Sequence, residues 1–409
     1  MIPVSVLTLS TIYPNERVDS VGRSVAFLDR TLAVLGVKGT TLVLRPWVPR
    51  MLAERVTKWN HLAIRSRVVQ ENGLTVVFDQ YLHVPRRYRL DWSACFMAGK
   101  VKRLIARHRW GFNLIHGQSI FPSALAAFLL SQHYKVPFVI TLRDDLTHLE
   151  AMLDQGSSCF RDLVHEMFRH VSAILVHGPA ILRGIDRFLP EKRTIPVSLA
   201  PNGVDIGGIE QILASLPQKG DHPWGRIVSV GNLYRIKGIH ETLMALRCLQ
   251  DRGIRGWRYT VVGEGPYRRE LESLAKESGF GDRVIFTGRL PHGEAIRMIH
   301  ESDIFCLPSW AEPFGNVFAE AAVCGRPAIG CRGFGAELTI KDGETGLLVP
   351  PRDVEGLTEA LVALLTNPER TKDMGRKARD HIRQFTWERT AGLYKETMEK
   401  VLAPETERH

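Results

Sequence analysis

The stretch PSWAEPFGNVFAEAAVCGRP, residues 308–327, decides how the second half of the chain is interpreted. It follows an apolar run at 304–307 that is typical of a buried strand, and it continues into a helix-like pattern that Gly325 ends. The residues Phe314, Gly315, Asn316 and Val317 are therefore expected at a helix N-terminus. Free backbone N–H groups and the positive end of the helix dipole make such a position suitable for an anion.

Two glutamates flank this expected turn. Glu312 lies just before it, and Glu320 lies one turn into the helix on the same face as Asn316. Gly315 allows a ligand to approach the backbone closely. A carboxylate on each side of an anion-binding turn suits a ligand whose hydroxyls flank a phosphate, such as a sugar nucleotide. The alternative is that both glutamates are solvated and the glycine only ends a loop.

Strand-like runs alternate with helix-like runs on both sides of this stretch. The predicted strands cover residues 4–9, 41–44, 76–78, 114–116, 138–141, 173–177, 197–199, 227–230, 259–262, 284–287, 304–307, 328–330 and 347–349. Such alternation predicts βαβ units and parallel sheets. A turn-rich segment near 200–225 interrupts the pattern and separates two such sheets.

These patterns predict an α/β protein with two doubly wound parallel-sheet (Rossmann-like) domains facing a cleft. The predicted segments are a first domain at 1–200, a linker at 201–225, a second domain at 226–385 and a C-terminal helix at 386–409. Trp387 and Tyr394 are the expected anchors of that helix.

Composition narrows the class of protein. The 409 residues contain no apolar run close to the ~20 residues that a bilayer span needs, and the N-terminus lacks a basic region and a cleavage signature. A cytoplasmic location is therefore expected. The six cysteines form no CxxC pair, so neither a disulfide framework nor a zinc site is expected.

Positive charge is concentrated at the start of the chain. The formal net charge is +10, and residues 1–110 hold 18 Lys/Arg against seven Asp/Glu. This asymmetry indicates an acidic partner, which could be nucleic acid, an anionic membrane or an anionic substrate. No nucleic-acid recognition module is visible, so nucleic acid is not expected. Segments 50–69 and 92–110 both have the pattern of basic amphipathic helices, which predicts peripheral docking on an anionic membrane; packing of their apolar faces on the first sheet is the alternative.

The 308–327 stretch resembles the E-x7-E motif of glycosyltransferase family 4, retaining enzymes of the GT-B fold. The segments that share the resemblance are TIYPN (11–15), APNGVD (200–205), VGNL (230–233), Lys237-Gly238, VGEGP (262–266), FTG (286–288), DGETGLLVP (342–350) and FTWERTAGLY (385–394). They extend over nearly the whole chain, and the N-terminal half looks most like enzymes that build bacterial polysaccharides. The resemblance implies that the first domain binds an acceptor, that the second binds a nucleotide-sugar, and that the last helix returns to the first domain.

The resemblance also assigns roles in the second domain. Glu312 would contact donor-sugar hydroxyls, and Glu320 would hold the ribose hydroxyls. Phe314 and the Gly315, Asn316 and Val317 backbone would line the sugar and diphosphate. Lys237 would neutralise the diphosphate as the bond to the sugar breaks.

One position of the second domain departs from the family pattern. Many family members carry an arginine where this chain has Asn232, after Gly231. Arg235 is a candidate to take over its phosphate contact, and a solvated surface arginine is the open alternative. The remaining donor-pocket candidates are Gly263 and Gly265, which would line the nucleotide pocket, and Arg289 and Leu290, which would flank the base.

The first domain offers four candidates. His116 and Gln118 end a predicted strand where the family often shows His-x-His, so the second histidine is replaced by a residue that cannot act as a base. His116 is a catalytic candidate or a satisfied structural histidine. Arg143 and Asp144 follow the 138–141 strand. Arg143 could bind a diphosphate or an acidic acceptor, with Asp144 orienting it, and an ordinary loop salt bridge is the alternative.

The predicted reaction is retaining sugar transfer from a nucleotide-diphosphate-sugar to a glycan or lipid-linked acceptor, with no metal and no cofactor. Two alternatives from other classes stay open: a sugar-nucleotide epimerase of the same fold and a non-enzymatic sugar-binding protein.

Overall fold

Two parallel sheets, each flanked by helices, form the protein. The computed structural model describes residues 3–14, 22–48, 62, 66–71, 73–83, 90–143, 146–190, 194–216 and 223–404. The strands of the first sheet are β1 (Ser5–Ser10), β2 (Lys38–Pro46), β3 (Arg67–Glu71), β4 (Leu74–Tyr81), β5 (Leu114–Gln118), β6 (Phe138–Leu142), β7 (Ala173–Val176) and β8 (Val197–Leu199). The strands of the second are β9 (Arg226–Val230), β10 (Arg258–Val262), β11 (Val284–Gly288), β12 (Ile304–Cys306), β13 (Ala328–Cys331) and β14 (Gly346–Val349).

Helices follow most of these strands. Before residue 204 they are α1 (Arg23–Val34), α2 (Leu90–His108), α3 (Leu125–Tyr134), α4 (Leu146–Gln155), α5 (Ser158–His170) and α6 (Pro179–Gly184). After it they are α7 (Ile206–Ser215), α8 (Ile239–Asp251), α9 (Arg268–Glu277), α10 (His292–Glu301), α11 (Asn316–Val323), α12 (Ala336–Thr339), α13 (Val354–Leu365), α14 (Pro368–Ile382) and α15 (Trp387–Leu402).

The first sheet has the strand order β3-β4-β2-β1-β5-β6-β7-β8. Its pairs are parallel except β3 with β4, which is antiparallel. The order reverses between β1 and β5, which are direct neighbours. In open α/β sheets, the crevice at such a reversal is where ligands bind.

The second sheet has the order β11-β10-β9-β12-β13-β14, and all its pairs are parallel. This is the doubly wound order, with the reversal between β9 and β12. Its core includes the buried side chains of Trp257 and Tyr259. Strand β12 is also buried in this core, which explains why the sequence is apolar at 304–307. Both sheets therefore have the predicted fold class, two doubly wound α/β domains.

The chain divides into two compact units. The first comprises residues 1–177, 181–203 and 387–409, and the second comprises 178–180 and 204–386. Helix α15 thus belongs to the first unit, where Trp387 stacks on Phe27 of α1 with ring centroids 5.6 Å apart and Tyr394 is fully buried. The segment 201–225, expected as a linker, instead contributes α7, whose Ile209 is buried in the core of the second unit.

The basic segment at 50–69 is the other difference from the sequence expectation. Its last residues, from Arg67, form the edge strand β3 and not a helix. Most of the rest of it lies outside the described residues. The second basic segment does form a helix, α2, and Met97, Val101 and Leu104 of that helix are buried in the core of the first unit.

Candidate active site

The loops after β9 and β12 meet at the reversal of the second sheet. The Trp310 N–H donates to the Ile236 carbonyl at 3.0 Å, and the Ser309 hydroxyl donates to the same oxygen at 3.3 Å. Gly238 has φ 73°, and a Cβ there would lie 2.2 Å from the Pro308 carbonyl oxygen. Only glycine therefore allows the two loops to approach this closely.

Lys237 and Glu312 form an ion pair between these loops. Lys237 Nζ lies 2.5 Å from Glu312 Oε2, and their side chains are 17% and 14% exposed. The pair is thus largely desolvated yet still reached by solvent. A cation and a carboxylate placed together at the end of a parallel sheet can contact a phosphate and a sugar hydroxyl of one ligand.

The turn before α11 has the predicted geometry. Gly315 adopts the left-handed conformation at φ 78°, and a Cβ there would lie 2.5 Å from the Phe318 ring. Helix α11 begins at the next residue, Asn316, which is exposed, while Phe314 is buried and Val317 is half-buried. The N-terminus of this eight-residue helix therefore lies close to the Lys237–Glu312 pair, since a Cβ on Gly315 would lie 3.0 Å from Glu312 Cγ.

Glu320 has a partner that sequence reasoning missed. His292 Nε2 lies 3.1 Å from Glu320 Oε1, and the two side chains are 29% and 18% exposed. His292 is the first residue of α10, which packs beside α11. Pro291, immediately before it, marks a helix start in the sequence, but no pattern links two residues 28 positions apart.

Glycines allow the remaining loops of this site to pack closely. Gly263 has φ 147°, and a Cβ there would lie 1.8 Å from the Gly231 carbonyl oxygen. A Cβ on Gly265 would lie 2.4 Å from the Leu233 carbonyl oxygen. The Gly263 N–H also donates to the Gly288 carbonyl at 2.9 Å, so the loops after β9, β10 and β11 are joined by backbone contacts.

The other candidates of the second unit lie nearer the surface. Arg235 is exposed at the start of the short helical turn that contains Lys237, and Asn232 is exposed in the same loop. Arg289 is exposed after β11, and Leu290 is half-buried against the core. The structure thus places the predicted donor residues at the carboxyl ends of four neighbouring strands, on loops or helix starts except for Glu320, which lies in the second turn of α11.

In the first unit, Arg143 connects several polar side chains. Its Nε donates to Gln118 Oε1 at 2.6 Å, and its NH1 donates to the Ser24 hydroxyl at 3.3 Å and lies 3.5 Å from His177 Nδ1. Gln118 is buried, and its Nε2 has no hydrogen-bond partner among the described residues. Asp144, the other predicted acceptor residue, lies outside the described residues.

His116 and His177 lie in the interior of the first unit. His116 Nε2 lies 2.7 Å from the Thr141 hydroxyl, and His177 Nε2 lies 3.1 Å from the Tyr394 hydroxyl. Burial, assisted by the nearby Arg143 guanidinium, lowers the pKa of His116 to about 3 and lowers the pKa of His177 well below its usual range. Both imidazoles are therefore neutral near pH 7, and the full burial of His116 favours a structural role over a catalytic one.

Within the described part of the chain, no group of three or more His, Cys, Asp or Glu side chains is arranged to hold a metal ion. None of the described helices combines the length and the apolar character that crossing a bilayer requires.

Two family models match the chain. The model described as "Glycosyl transferases group 1" matches residues 219–381, and the "Glycosyl transferase 4-like domain" matches residues 19–203. The two matches follow one another and correspond closely to the second and first units.

Individual relatives agree with these matches. The chain is 29% identical to a glycogen synthase from Mycobacterium tuberculosis over 71% of its length and 70% of the relative. It is 27% identical to a D-inositol 3-phosphate glycosyltransferase from Saccharomonospora viridis, over 77% of this chain and 71% of that one. Among solved structures, HepE from Anabaena, determined in complex with UDP-glucose, superimposes with a TM-score of 0.69 at 18% identity over 97% of this chain and 99% of that one.

Proposed function

This chain belongs to the glycosyltransferases of group 1 and 4-like type with the GT-B fold, and we propose that it transfers a sugar, with retention of configuration, from a nucleotide-diphosphate-sugar to a glycan or lipid-linked acceptor. Sugar transfer itself follows from the family. The donor, the stereochemistry and the acceptor are the proposal.

The Lys237–Glu312 pair beside the start of α11 is the observation that carries the donor assignment. A nucleoside diphosphate needs positive charge and N–H donors, and Lys237 and the α11 N-terminus supply both. When the diphosphate engages Lys237, Glu312 is released to accept hydrogen bonds from the donor-sugar hydroxyls. The structure of HepE with UDP-glucose supports a nucleotide-sugar as the kind of donor.

Lys237 would act most strongly as the sugar–phosphate bond breaks. Negative charge then accumulates on the leaving diphosphate, and a fixed cation stabilises that charge more than it stabilises the bound donor. The leaving phosphate itself would accept the acceptor's proton on the same face, which gives retention. The resemblance to family 4 supports this stereochemistry.

Metal independence is part of the same proposal. Lys237 and the α11 N-terminus provide the positive potential that a divalent cation would otherwise supply at the diphosphate. No cofactor is needed, because the donor carries the activated sugar.

The acceptor is assigned to the first unit. Arg143 is half-buried at the carboxyl end of β6, and it shares a hydrogen bond with Gln118 at the end of β5. A guanidinium and an amide at this position suit an acceptor with a phosphate or carboxylate beside its hydroxyls. The relative named as a D-inositol 3-phosphate glycosyltransferase supports an anionic acceptor class.

A peripheral membrane location is proposed for the same unit. Helix α2 buries one face and exposes Trp92, Phe96, Arg103 and Arg107 on the other. Aromatic and basic side chains together favour an anionic lipid interface, where each base contributes ~1 kcal/mol. Sedimentation with anionic liposomes at low salt is expected to remove the protein from solution, and Trp92→Ser with Phe96→Ser is expected to abolish this. Failure to sediment at any salt concentration would refute the membrane assignment.

A ligand screen tests the donor proposal. Thermal unfolding is measured with UDP, GDP, ADP and their sugar conjugates. One of these nucleotides and its sugar conjugate are expected to raise the Tm, since a ligand at 100 times its Kd adds ~2.7 kcal/mol to the free energy of unfolding. Lys237→Ala should reduce the shift. Release of nucleoside diphosphate that depends on added acceptor then distinguishes transfer from epimerisation. The absence of a shift with every nucleotide would contradict the proposal.

A further inference from the structure

The contact between His292 and Glu320 adds a residue to the proposed donor site. His292 lies at the first position of α10, and Glu320 lies in the second turn of α11. The 3.1 Å separation of Nε2 and Oε1 is a hydrogen bond that both the Nε2–H tautomer and the imidazolium can donate. His292 has no role in the reaction described so far.

We propose that His292 is a positioning residue that fixes the Glu320 carboxylate for recognition of the donor's ribose hydroxyls. The inference rests on the proposed function, because it assumes that Glu320 binds a ribose.

A free glutamate side chain on a helix surface samples several rotamers, and holding it in one conformation costs conformational entropy. The bond from His292 engages Oε1 before the ligand arrives, so part of that cost does not fall on ligand binding. Within the described part of the chain, the hydrogen bond of Glu320 is made by Oε1. Its Oε2 has no hydrogen bond there and is available to a hydroxyl donor.

The contact can fix the position of Glu320 because His292 lies on a different helix, α10. Helix α10 follows β11 and helix α11 follows β12, so the bond joins elements that follow two different strands of the sheet. The imidazole is 29% exposed and its helix is anchored by buried Ala295 and Ile296. The side chain therefore rests on a fixed backbone while its polar edge reaches the site.

Binding of ribose and 2′-deoxyribose nucleotides measures this role. The affinities of UDP, GDP and ADP and of their 2′-deoxy counterparts are determined by calorimetry for the wild type, His292→Ala, His292→Gln and Glu320→Ala. The wild type should prefer the ribose form, and His292→Ala should weaken ribose-nucleotide binding by roughly three- to tenfold while changing 2′-deoxy binding less. His292→Gln, which keeps an N–H donor, should recover part of the preference.

Two controls separate positioning from general loss of structure. Glu294→Gln removes a carboxylate from the same first turn of α10, where it pairs with Arg297 at 3.3 Å, and should leave nucleotide binding unchanged. In the Glu320→Ala background, His292→Ala should have no further effect on the ribose preference.

The outcomes are distinct. An unchanged ribose preference in His292→Ala, with a preserved Tm, would overturn this inference alone. Failure of the wild type to bind any of the six nucleotides would overturn the proposed function and this inference with it.

Discussion

The two sheets present polar side chains at their carboxyl ends in opposite ways. In the second unit, Lys237 and Glu312 lie on glycine-bounded loops where solvent reaches both charges. In the first unit, His116 and His177 are sealed inside the protein and held neutral by burial. Doubly wound sheets thus carry a solvent-accessible ion pair at the strand ends of one unit and buried, neutral histidines in the other.

This difference teaches what decides whether a residue after a strand is functional. Lys237 and Glu312 are kept apart from the core by loops that Gly238 and Gly315 allow to pack tightly. His116, within β5, is fully buried, and its Nε2 lies 2.7 Å from the Thr141 hydroxyl. A position near a strand end is therefore not enough for a side chain to contact a ligand, because the side chain must also remain accessible to solvent.

Replacement of Glu312 is expected to have the largest effect. Glu312→Ala should reduce kcat/KM for transfer by roughly 10²–10³-fold, which is the typical loss when one group that stabilises a transition state is removed. Steady-state kinetics with saturating acceptor measures it. Glu344→Ala, an exposed glutamate of the same unit, is the matched control. Full activity of Glu312→Ala would remove this residue from the site.

Replacement of Lys237 should follow. Lys237→Ala is expected to lose roughly 10–10²-fold in kcat/KM and to weaken binding of the nucleoside diphosphate, because both the bound and the leaving diphosphate lose their cation. Lys237→Arg should retain part of the activity. Lys341→Ala changes an exposed lysine of the same unit and should be neutral. Equal losses for Lys237→Ala and Lys341→Ala would indicate a nonspecific charge effect.

Because His116 and His177 are buried, we expect them to make the stability of the protein, and not its catalysis, depend on pH. The folded-state pKa of His116 is about 3, below the ordinary value of 6.5, so acid favours the unfolded state, which binds the proton. Stability should fall as pH decreases from 6.5, by about 2 kcal/mol at pH 5 for this group.

Burial also raises the pKa of Asp29 to about 7, which has the opposite sign: its stabilising protonation is lost as pH rises toward and through 7. Denaturant unfolding of the wild type and His116→Gln at pH 5 and 7 isolates the histidine, and the variant should lose less stability in acid. His133→Gln, at an exposed histidine, is the control. Identical pH slopes for the wild type and His116→Gln would contradict the sealed interior.

Arg235 should have a smaller effect than Lys237. Its side chain is exposed, so solvent and salt screen its charge. Arg235→Ala is expected to weaken nucleotide binding by less than about fivefold, with the difference vanishing at high salt. Calorimetry at low and high salt measures it. A loss as large as that of Lys237→Ala would show that Arg235 replaces the arginine that is missing at Asn232.

Chelation should have the smallest effect. If Lys237 supplies the positive charge at the diphosphate, as proposed, activity should survive EDTA. Loss of activity that Mg²⁺ or Mn²⁺ restores would contradict metal independence.

The sequence was sufficient for the fold, and for placing most donor-side candidates at strand ends, because these signals are local. Strands such as β12 are short apolar runs bounded by turn residues, and Gly315 marks the start of α11 by its position before the helix pattern. The edge strand β3 was missed because three of its five residues, Arg67, Gln70 and Glu71, are polar or charged and it has no buried face.

Contacts between residues far apart in the chain could not be predicted from the sequence. The bond between His292 and Glu320 depends on how α10 and α11 pack, and the network of Arg143 depends on the order of strands β5, β6 and β7. Helix α7 was not recognised within the expected linker because its N-cap, Asp205, follows a turn that contains proline and glycine.

Hydrogen–deuterium exchange with and without the nucleoside diphosphate that gives the largest thermal shift tests whether the second unit binds the donor. Slower exchange is expected in the segments 231–238, 263–268 and 312–320, where the backbone N–H groups and Lys237 would hold the diphosphate, and this protection should be lost in Lys237→Ala. Unchanged exchange in all three segments, at a ligand concentration that saturates the thermal shift, would contradict donor binding by the second unit.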